Sequence, residues 1–152
     1  MNDMTGNKQK SRIKCKGVVK GVAVGEALVM KKSFAFMGDV DMATSEIIAR
    51  EHEHFGRKIA GKIMIYPETK GSSGGCVVLM SLAKLGLQPA AIINLKMADY
   101  NLVEGAILAG IPLGCLPERD PSEMVRTGDR VKLDTNNGWI ELIGIGDNKE
   151  IR

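Results

Sequence analysis

An alternation of strand-like and helix-like apolar runs in the middle of the chain constrains the fold more than any other feature. In chain order these runs cover residues 62–66 (KIMIY), 76–85 (CVVLMSLAKL), 90–95 (AAIINL), 101–109 (NLVEGAILA) and 111–116 (IPLGCL). The first, third and fifth have the length of buried strands, whereas the other two have helical length and end at Gly86 and Gly110. Pro112 makes the last strand short or places it at a sheet edge. Strand, helix, strand, helix and strand in this order predict a parallel βαβ core.

Hairpin signals flank this core on both sides. Strand candidates at 13–19 and 26–30 surround the turn Lys20-Gly21, and candidates at 129–134 and 139–143 surround a turn at 136–138 (NNG). We therefore expect an α/β domain with more strand than helix and a central parallel βαβ portion. This single domain is expected at residues 12–145, after a disordered basic leader at residues 1–11 and before a frayed tail at residues 146–152.

The net charge of +3 conceals two regions of opposite sign. The first 20 residues carry six basic side chains and one acid, so the rest of the chain is net negative. A basic arm can contact nucleic acid, but no aromatic residue that could stack on bases interleaves with these lysines. We therefore expect a solubilising leader and no nucleic-acid partner.

The cysteines and the apolar runs indicate the compartment. Cys15, Cys76 and Cys115 form no CxxC pair, so the sequence predicts neither a metal site nor a disulfide framework. No run approaches the roughly 18 apolar residues of a membrane span, and no apolar secretory signal is visible near residue 1. We expect a reduced, cytoplasmic protein with no membrane contact.

The most informative segment is the loop 69–75 (TKGSSGG), between the first core strand and its helix. In a βαβ unit, ligands collect at the carboxyl end of the strand and face the N-terminus of the following helix. Exposed N–H groups and the helix dipole favour an anion there, glycines let the backbone approach it, and Lys70 adds a positive charge. The loop predicts a site for a carboxylate or phosphate; the alternative is a tight connection whose serine only caps the helix.

Two other motifs carry less weight. Residues 56–62 (GRKIAGK) satisfy the pattern GxxxxGK, but Ile63 stands where a P-loop needs a hydroxyl, and the segment precedes a strand instead of following one. His52 and His54 alternate with two glutamates and could form part of a metal site, yet no third ligand is obvious. We expect a solvated loop in which one of these histidines is hydrogen-bonded to backbone.

The order and spacing of several segments resemble the swivel-domain small subunit of the aconitase X family of dehydratases. These segments are 25–28 (GEAL), 34–41 (FAFMGDVD), His52 with Gly56, 59–63 (IAGKI), Pro67 with 70–74 (KGSSG), 89–93 (PAAII), 105–107 (GAI) and 110–112 (GIP). The resemblance covers about residues 13–143. In the family the loop at 34–41 usually reads Leu-Ser-Phe-Trp-Gly-Gly-Val-Asp, so Ala35, Met37 and Asp39 depart from it and leave the identity of the substrate open.

The resemblance implies an aconitase-like swivelling β/β/α domain that supplies one wall of a shared active site. Such enzymes dehydrate a small hydroxy acid, for example mevalonate 5-phosphate or a hydroxyproline-like compound, and a serine in a Gly-Ser-Ser loop accepts the proton removed from carbon. Ser72 matches that proton acceptor, and we expect the small anionic substrate to be bound by the neighbouring loop residues Lys70, Gly71, Ser73 and Gly74. No cofactor is expected in this chain. The iron–sulfur cluster that assists departure of the hydroxyl is expected in a large catalytic subunit.

Two functions from other classes compete with this interpretation. A stand-alone anion-binding or carrier swivel domain would need no catalysis, although phosphohistidine carriers place a histidine soon after their glycines, where this chain has Cys76-Val77-Val78. A nucleic-acid adaptor would use the basic leader, which the net negative remainder of the chain does not favour.

Overall fold

The computed structural model describes residues 11–70 and 73–147, which form an eight-stranded sheet and three helices. The strands are β1 (Arg12–Lys14), β2 (Lys16–Val19), β3 (Val22–Val29), β4 (Ile63–Tyr66), β5 (Ala91–Asn94), β6 (Leu113–Cys115), β7 (Arg130–Asp134) and β8 (Trp139–Gly144). The helices are α1 (Phe36–Asp39), α2 (Ser73–Lys84) and α3 (Tyr100–Ala109), with a 3-10 turn at Pro121–Glu123. The order across the sheet is β1-β8-β7-β3-β4-β5-β6-β2.

The predicted parallel core is confirmed. Strands β3, β4, β5 and β6 are parallel neighbours, and α2 and α3 connect β4 to β5 and β5 to β6. Every residue of β4 and β5 is buried, as in parallel strands covered on both faces. Gly110 ends α3 in the left-handed conformation, as the sequence predicts.

Successive side chains of β4 and β5 enter two different cores, because side chains alternate across a strand. Met64 and Ile92 pack with Leu79 of α2 in the first core. Ile63 and Ile93 pack in the second core, which also contains side chains of the β7–β8 hairpin such as Leu133. Helices, parallel strands and hairpin therefore form three layers, which is the β/β/α arrangement expected from the resemblance.

The strand expected at 13–19 is two strands that belong to opposite edges of the sheet. Antiparallel pairing joins β1 to β8 and β2 to β6, and only Cys15 separates β1 from β2. Because the first and last strands of the order are joined by one residue, the sheet closes on itself. Strand β6 consequently has a neighbour on each side and only three residues, so of the two predicted alternatives the short strand is confirmed and the edge strand is not.

A closure seam of four residues, Cys15, Gly17, Thr135 and Gly138, holds the two edges together. The Cys15 N–H donates to the carbonyl of Gly138 at 2.9 Å. The buried Thr135 hydroxyl donates to the carbonyl of Val19 at 2.7 Å. A Cβ on Gly17 would stand 2.1 Å from the carbonyl oxygen of Thr135, so only glycine allows this approach.

The ends of the chain lie mostly outside the described residues. Of the predicted leader only Ser11 is described, and its carbonyl accepts the N–H of Leu142 at 2.9 Å. Of the predicted tail only residues 146 and 147 are described, and the Gly146 N–H donates to Asp129 Oδ1 at 3.0 Å. In the part of the chain that the structure covers, no helix has the length and apolarity needed to cross a membrane.

Candidate active site

The loop predicted to bind an anion lies at the carboxyl ends of β4 and β5. Strand β4 ends at Tyr66, and α2 begins at Ser73, earlier than the start at Cys76 expected from the sequence. Ser73 and Gly74 therefore belong to the first turn of the helix. Gly71 and Ser72 lie outside the described residues, between the exposed Lys70 and Ser73.

A buried chain of hydroxyl and amide groups anchors the start of this loop. The Tyr66 hydroxyl and Thr69 Oγ1 are 2.6 Å apart, and the Thr69 hydroxyl donates to Asn94 Oδ1 at 3.0 Å. Burial strongly raises the pKa of the Tyr66 phenol, so this group stays protonated and can donate to Thr69. Sequence reasoning missed Tyr66 and Asn94. Their signal was a polar side chain at the end of each of two apolar strands that pair in register.

The segment 34–40 covers the other side of the loop. The Lys70 N–H donates to the carbonyl of Phe34 at 2.8 Å, and the Phe34 N–H donates to the carbonyl of Glu68 at 3.2 Å. Helix α1 is one irregular turn, in which Gly38 has a φ of 107°. Asp39 Oδ2 accepts the Ala35 N–H at 2.8 Å and closes that turn. The segment that departs from the family pattern therefore lies beside the predicted site.

The two histidines have different environments. His54 Nε2 contacts the carbonyl of Val29 at 2.6 Å, which fits the expected hydrogen bond to backbone. His52 is 7% exposed and packs edge-on against Phe34, so the expectation of a solvated loop is wrong for this residue. Within residues 11–70 and 73–147, no group of three or more His, Cys, Asp or Glu side chains could hold a metal ion.

The protonation of His52 follows from its contacts. Its Nδ1 accepts the His54 N–H at 3.0 Å, which places the ring hydrogen on Nε2. Burial, followed by the nearby His54, lowers the pKa of His52, so the ring is neutral at pH 7. His52 Nε2 is a buried donor with no partner among the described residues.

Two open clefts lie along this part of the molecule. The smaller, of about 580 Å³, adjoins the loop, and we call it the lysine cleft. Its charged and polar lining comprises Lys31, Lys32, Lys70, Lys96, Ser33, His52, Asp39, Glu51 and Glu68. The larger, of about 850 Å³, has a lining of mixed charge, and none of the described site candidates Lys70, Ser73 and Gly74 lines it. Of these candidates only Lys70 lines the lysine cleft, and it also lines a small cavity of about 10 Å³ beside Gly75 and Cys76. The lysine cleft is the larger of the two cavities that adjoin the predicted anion site.

The family and structure comparisons match this chain to aconitase X, and the sequence comparison matches it to phosphomevalonate dehydratase small subunits. The family described as "Aconitase X swivel domain" matches residues 12–142. The phosphomevalonate dehydratase small subunit of Pyrococcus furiosus is 42% identical over 136 residues, which are 90% of this chain and 98% of that protein. The corresponding protein of Methanococcoides burtonii is 37% identical over 132 residues, with 87% and 96% covered. The crystal structure of Thermococcus kodakaraensis aconitase X in its holo-form superposes with a TM-score of 0.80 at 35% identity, covering 87% of this chain and 98% of that one.

Proposed function

The chain belongs to the aconitase X swivel-domain family, and on this basis we propose that it is the small subunit of a two-subunit dehydratase acting on mevalonate 5-phosphate. Curated relatives whose sequences match this chain along 96–98% of their length are named phosphomevalonate dehydratase small subunits. The observation that carries the proposal is the position of the Lys70–Gly74 segment. Of this segment the structure describes Lys70, which follows β4, and Ser73 and Gly74, which lie in the first turn of α2, where a βαβ unit receives anionic ligands.

In this proposal Ser72 removes the proton. Its ionised side chain accepts a proton from the carbon beside the substrate carboxylate, a carbon–carbon double bond forms, and the hydroxyl leaves the adjacent carbon as hydroxide, which becomes water when it takes up the proton that Ser72 removed. A serine needs positive potential to act in this way, and Lys70 and the N-terminus of α2 provide it. The backbone N–H groups and hydroxyl at Gly71, Ser73 and Gly74 then hold a substrate oxyanion.

The described residues of this chain do not fit an iron–sulfur cluster. Clusters are held by groups of cysteine thiolates, whereas Cys15 and Cys115 are buried in the sheet and Cys76 stands in the first turn of α2. We therefore place the cluster, and the assistance it gives to the leaving hydroxyl, in the large subunit.

Exposed apolar side chains near the site support a partner subunit. Met37, Val77, Met97 and Tyr100 are each more than half exposed, and they stand on the segments that surround the carboxyl ends of β4 and β5. Exposed apolar surface of this kind is typical of protein interfaces. We expect the large subunit to cover this face and to bury at least about 1,000 Å² in total, as stable complexes do.

Co-expression with an aconitase X large subunit tests the proposal. The two chains should co-purify, and the complex should dehydrate mevalonate 5-phosphate. Ser72→Ala should lower kcat by about 10²–10⁴-fold, the usual contribution of a positioned general base, with an unchanged Tm.

Ser73→Ala is the matched control, since it removes a neighbouring hydroxyl and should mainly raise KM. If Ser72 only capped the helix, its loss would lower stability by about 1 kcal/mol and leave turnover nearly intact. Separate elution of the two chains at micromolar concentration, together with anion binding by this chain alone, would favour the stand-alone binding domain instead.

A further inference from the structure

Four lysines and three acids line the lysine cleft, so the net charge of its lining is +1. Of the acids, Glu51 has no ion pair within the described part of the chain. Glu68 is engaged by Lys96 at 3.5 Å and by the Ser33 hydroxyl at 3.5 Å. Asp39 accepts the N–H of Ala35, which precedes α1, and has no ion pair in the described part of the chain. Lys32 and Lys70 likewise have no ion-pair partner within the described part of the chain, although both line the cleft. An exposed lysine without a carboxylate partner is available to an anionic ligand.

His52 supplies a second, independent observation in the same cleft. Its Nε2–H is buried and unpartnered, and such donors are uncommon in folded proteins because losing the hydrogen bonds to water costs about 1–3 kcal/mol. Lys32 is close enough for its charge to contribute to lowering the pKa of His52. The carboxylates of Glu53 and Asp39 act on His52 in the opposite sense and more strongly than Lys32 does. A neutral donor and an ammonium group nevertheless line the same cleft, which suits an oxyanion that accepts from both.

We propose that the lysine cleft binds the phosphate group of the substrate, through Lys32, Lys70 and the Nε2–H of His52. This inference rests on the proposed function and names the part of the substrate that this chain recognises. Lys70 lines the cleft and also precedes Ser72 by two positions, which is at most about 7 Å of extended chain. A substrate with its reactive carbon at Ser72 can therefore place a phosphate from the other end of a short carbon chain in the cleft.

The same assignment makes the cleft a specificity determinant. When the substrate is an unphosphorylated hydroxy acid, the exposed Lys32 and Lys70 are solvated by water, but the buried Nε2–H of His52 loses its acceptor. A buried polar group left unpaired discriminates against such analogues. Lys96 contributes less, because Glu68 partly neutralises it.

The test is steady-state kinetics of the reconstituted complex with mevalonate 5-phosphate and with unphosphorylated mevalonate. Lys32→Gln should raise KM for the phosphorylated substrate at least about tenfold with kcat within about threefold, and should weaken competitive inhibition by inorganic phosphate. Lys84→Gln, at the far end of α2, is the matched control and should change neither.

His52 allows a matched pair of its own. Asparagine places an acceptor near the position of Nδ1 and removes the Nε2 donor, whereas glutamine places an N–H donor near Nε2 and loses the acceptor for His54. His52→Asn should raise KM for the phosphorylated substrate. Compared with His52→Asn, His52→Gln should lower Tm by more and raise KM by less. Both variants are compared with Lys32→Gln, which replaces an exposed side chain and leaves the folded core intact.

The outcomes separate the two proposals. A wild-type complex without dehydratase activity overturns the proposed function. An active complex in which Lys32→Gln and His52→Asn leave KM unchanged overturns the phosphate site alone. An equal rise of KM for the phosphorylated and unphosphorylated substrates would assign the cleft to the carboxylate and would also overturn it.

Discussion

The side chain of Met37 lies directly on the backbone of Gly74. A Cβ on Gly74 would stand 2.6 Å from Cε and 3.2 Å from Cγ of Met37, so the absence of a side chain at Gly74 allows α1 to rest on the first turn of α2. Met37 occupies the position where the family usually has tryptophan, and it is half exposed. This contact joins the segment that departs most from the family pattern to the helix that follows Ser72.

Gly74→Ala should therefore disturb the site more than the fold. The added methyl group meets the flexible end of a half-exposed side chain, so we expect a loss of stability below about 1 kcal/mol. Displacing Met37 should move α1 from the loop and lower kcat/KM of the complex at least about threefold. Met37→Ala combined with Gly74→Ala should restore kcat/KM, because it removes the side chain that the new methyl group meets and residues in contact are coupled. Gly75→Ala is the control, since its Cβ would meet only Phe36 Cβ at 3.8 Å. Additive effects of Gly74→Ala and Met37→Ala on kcat/KM would contradict the contact.

Gly17→Ala tests the closure of the sheet. A Cβ at this position would overlap the carbonyl oxygen of Thr135, and neither backbone can move without breaking the pairing of β2. We expect a loss of about 2–4 kcal/mol in the free energy of unfolding, measured by urea denaturation. Gly144→Ala in β8 is the matched control, because its Cβ would stand 3.4 Å from a side-chain atom of Arg130. Equal effects of the two substitutions would show that residue 17 tolerates a side chain.

His52 should make stability depend on pH. Its pKa is lowered in the folded chain from the ordinary value of 6.5, so the unfolded chain takes up this proton first as the pH falls. Stability is unaffected by this group above about pH 6.5 and falls as the pH decreases toward the lowered pKa. The Tm of the wild type should therefore drop more between pH 7.5 and pH 5 than the Tm of His52→Asn, in which no imidazole titrates. Parallel Tm curves for the two proteins would show that the burial of His52 has no energetic consequence.

The purified chain alone should be colourless and should retain no iron. The two cores formed by the described residues are complete without a metal, so we also expect it to fold, as measured by circular dichroism. Cys76→Ser should leave the iron content of the reconstituted complex unchanged, since we assign all cluster ligands to the large subunit. Stoichiometric iron and sulfide on the isolated chain would contradict this division.

The parallel core could be predicted because the length and composition of each apolar run indicate its structure without reference to a partner. The pairing of residues 12–19 could not, because an apolar run has the same pattern whether one or two neighbours satisfy its hydrogen bonds. The break at Cys15 depends on Thr135 and Gly138, which are distant in sequence.

The candidate site shows the same division. The spacing of glycines and serines pointed to the loop at Lys70. Gly74 and Gly75 disfavour a helix, so the start of α2 at Ser73 could not be predicted from the sequence. In the structure, Phe36 and Met37 of α1 pack against these two glycines in the first turn of α2. The burial of His52 could not be predicted because it depends on contact with Phe34, which is 18 positions away in sequence.

The closure seam also has a consequence for the order of folding. Arg12 pairs with Glu141 and Lys16 with Cys115, so β1 and β2 reach their places only after β6 and β8 have been synthesised. Pairings this remote in sequence slow folding, because chain entropy is lost before the contacts compensate for it. On the ribosome, the βαβ core can assemble and pair with β2 while β1 still lacks its partner β8. We therefore expect nascent chains that end before β8 to keep two unpaired sheet edges and to aggregate through them.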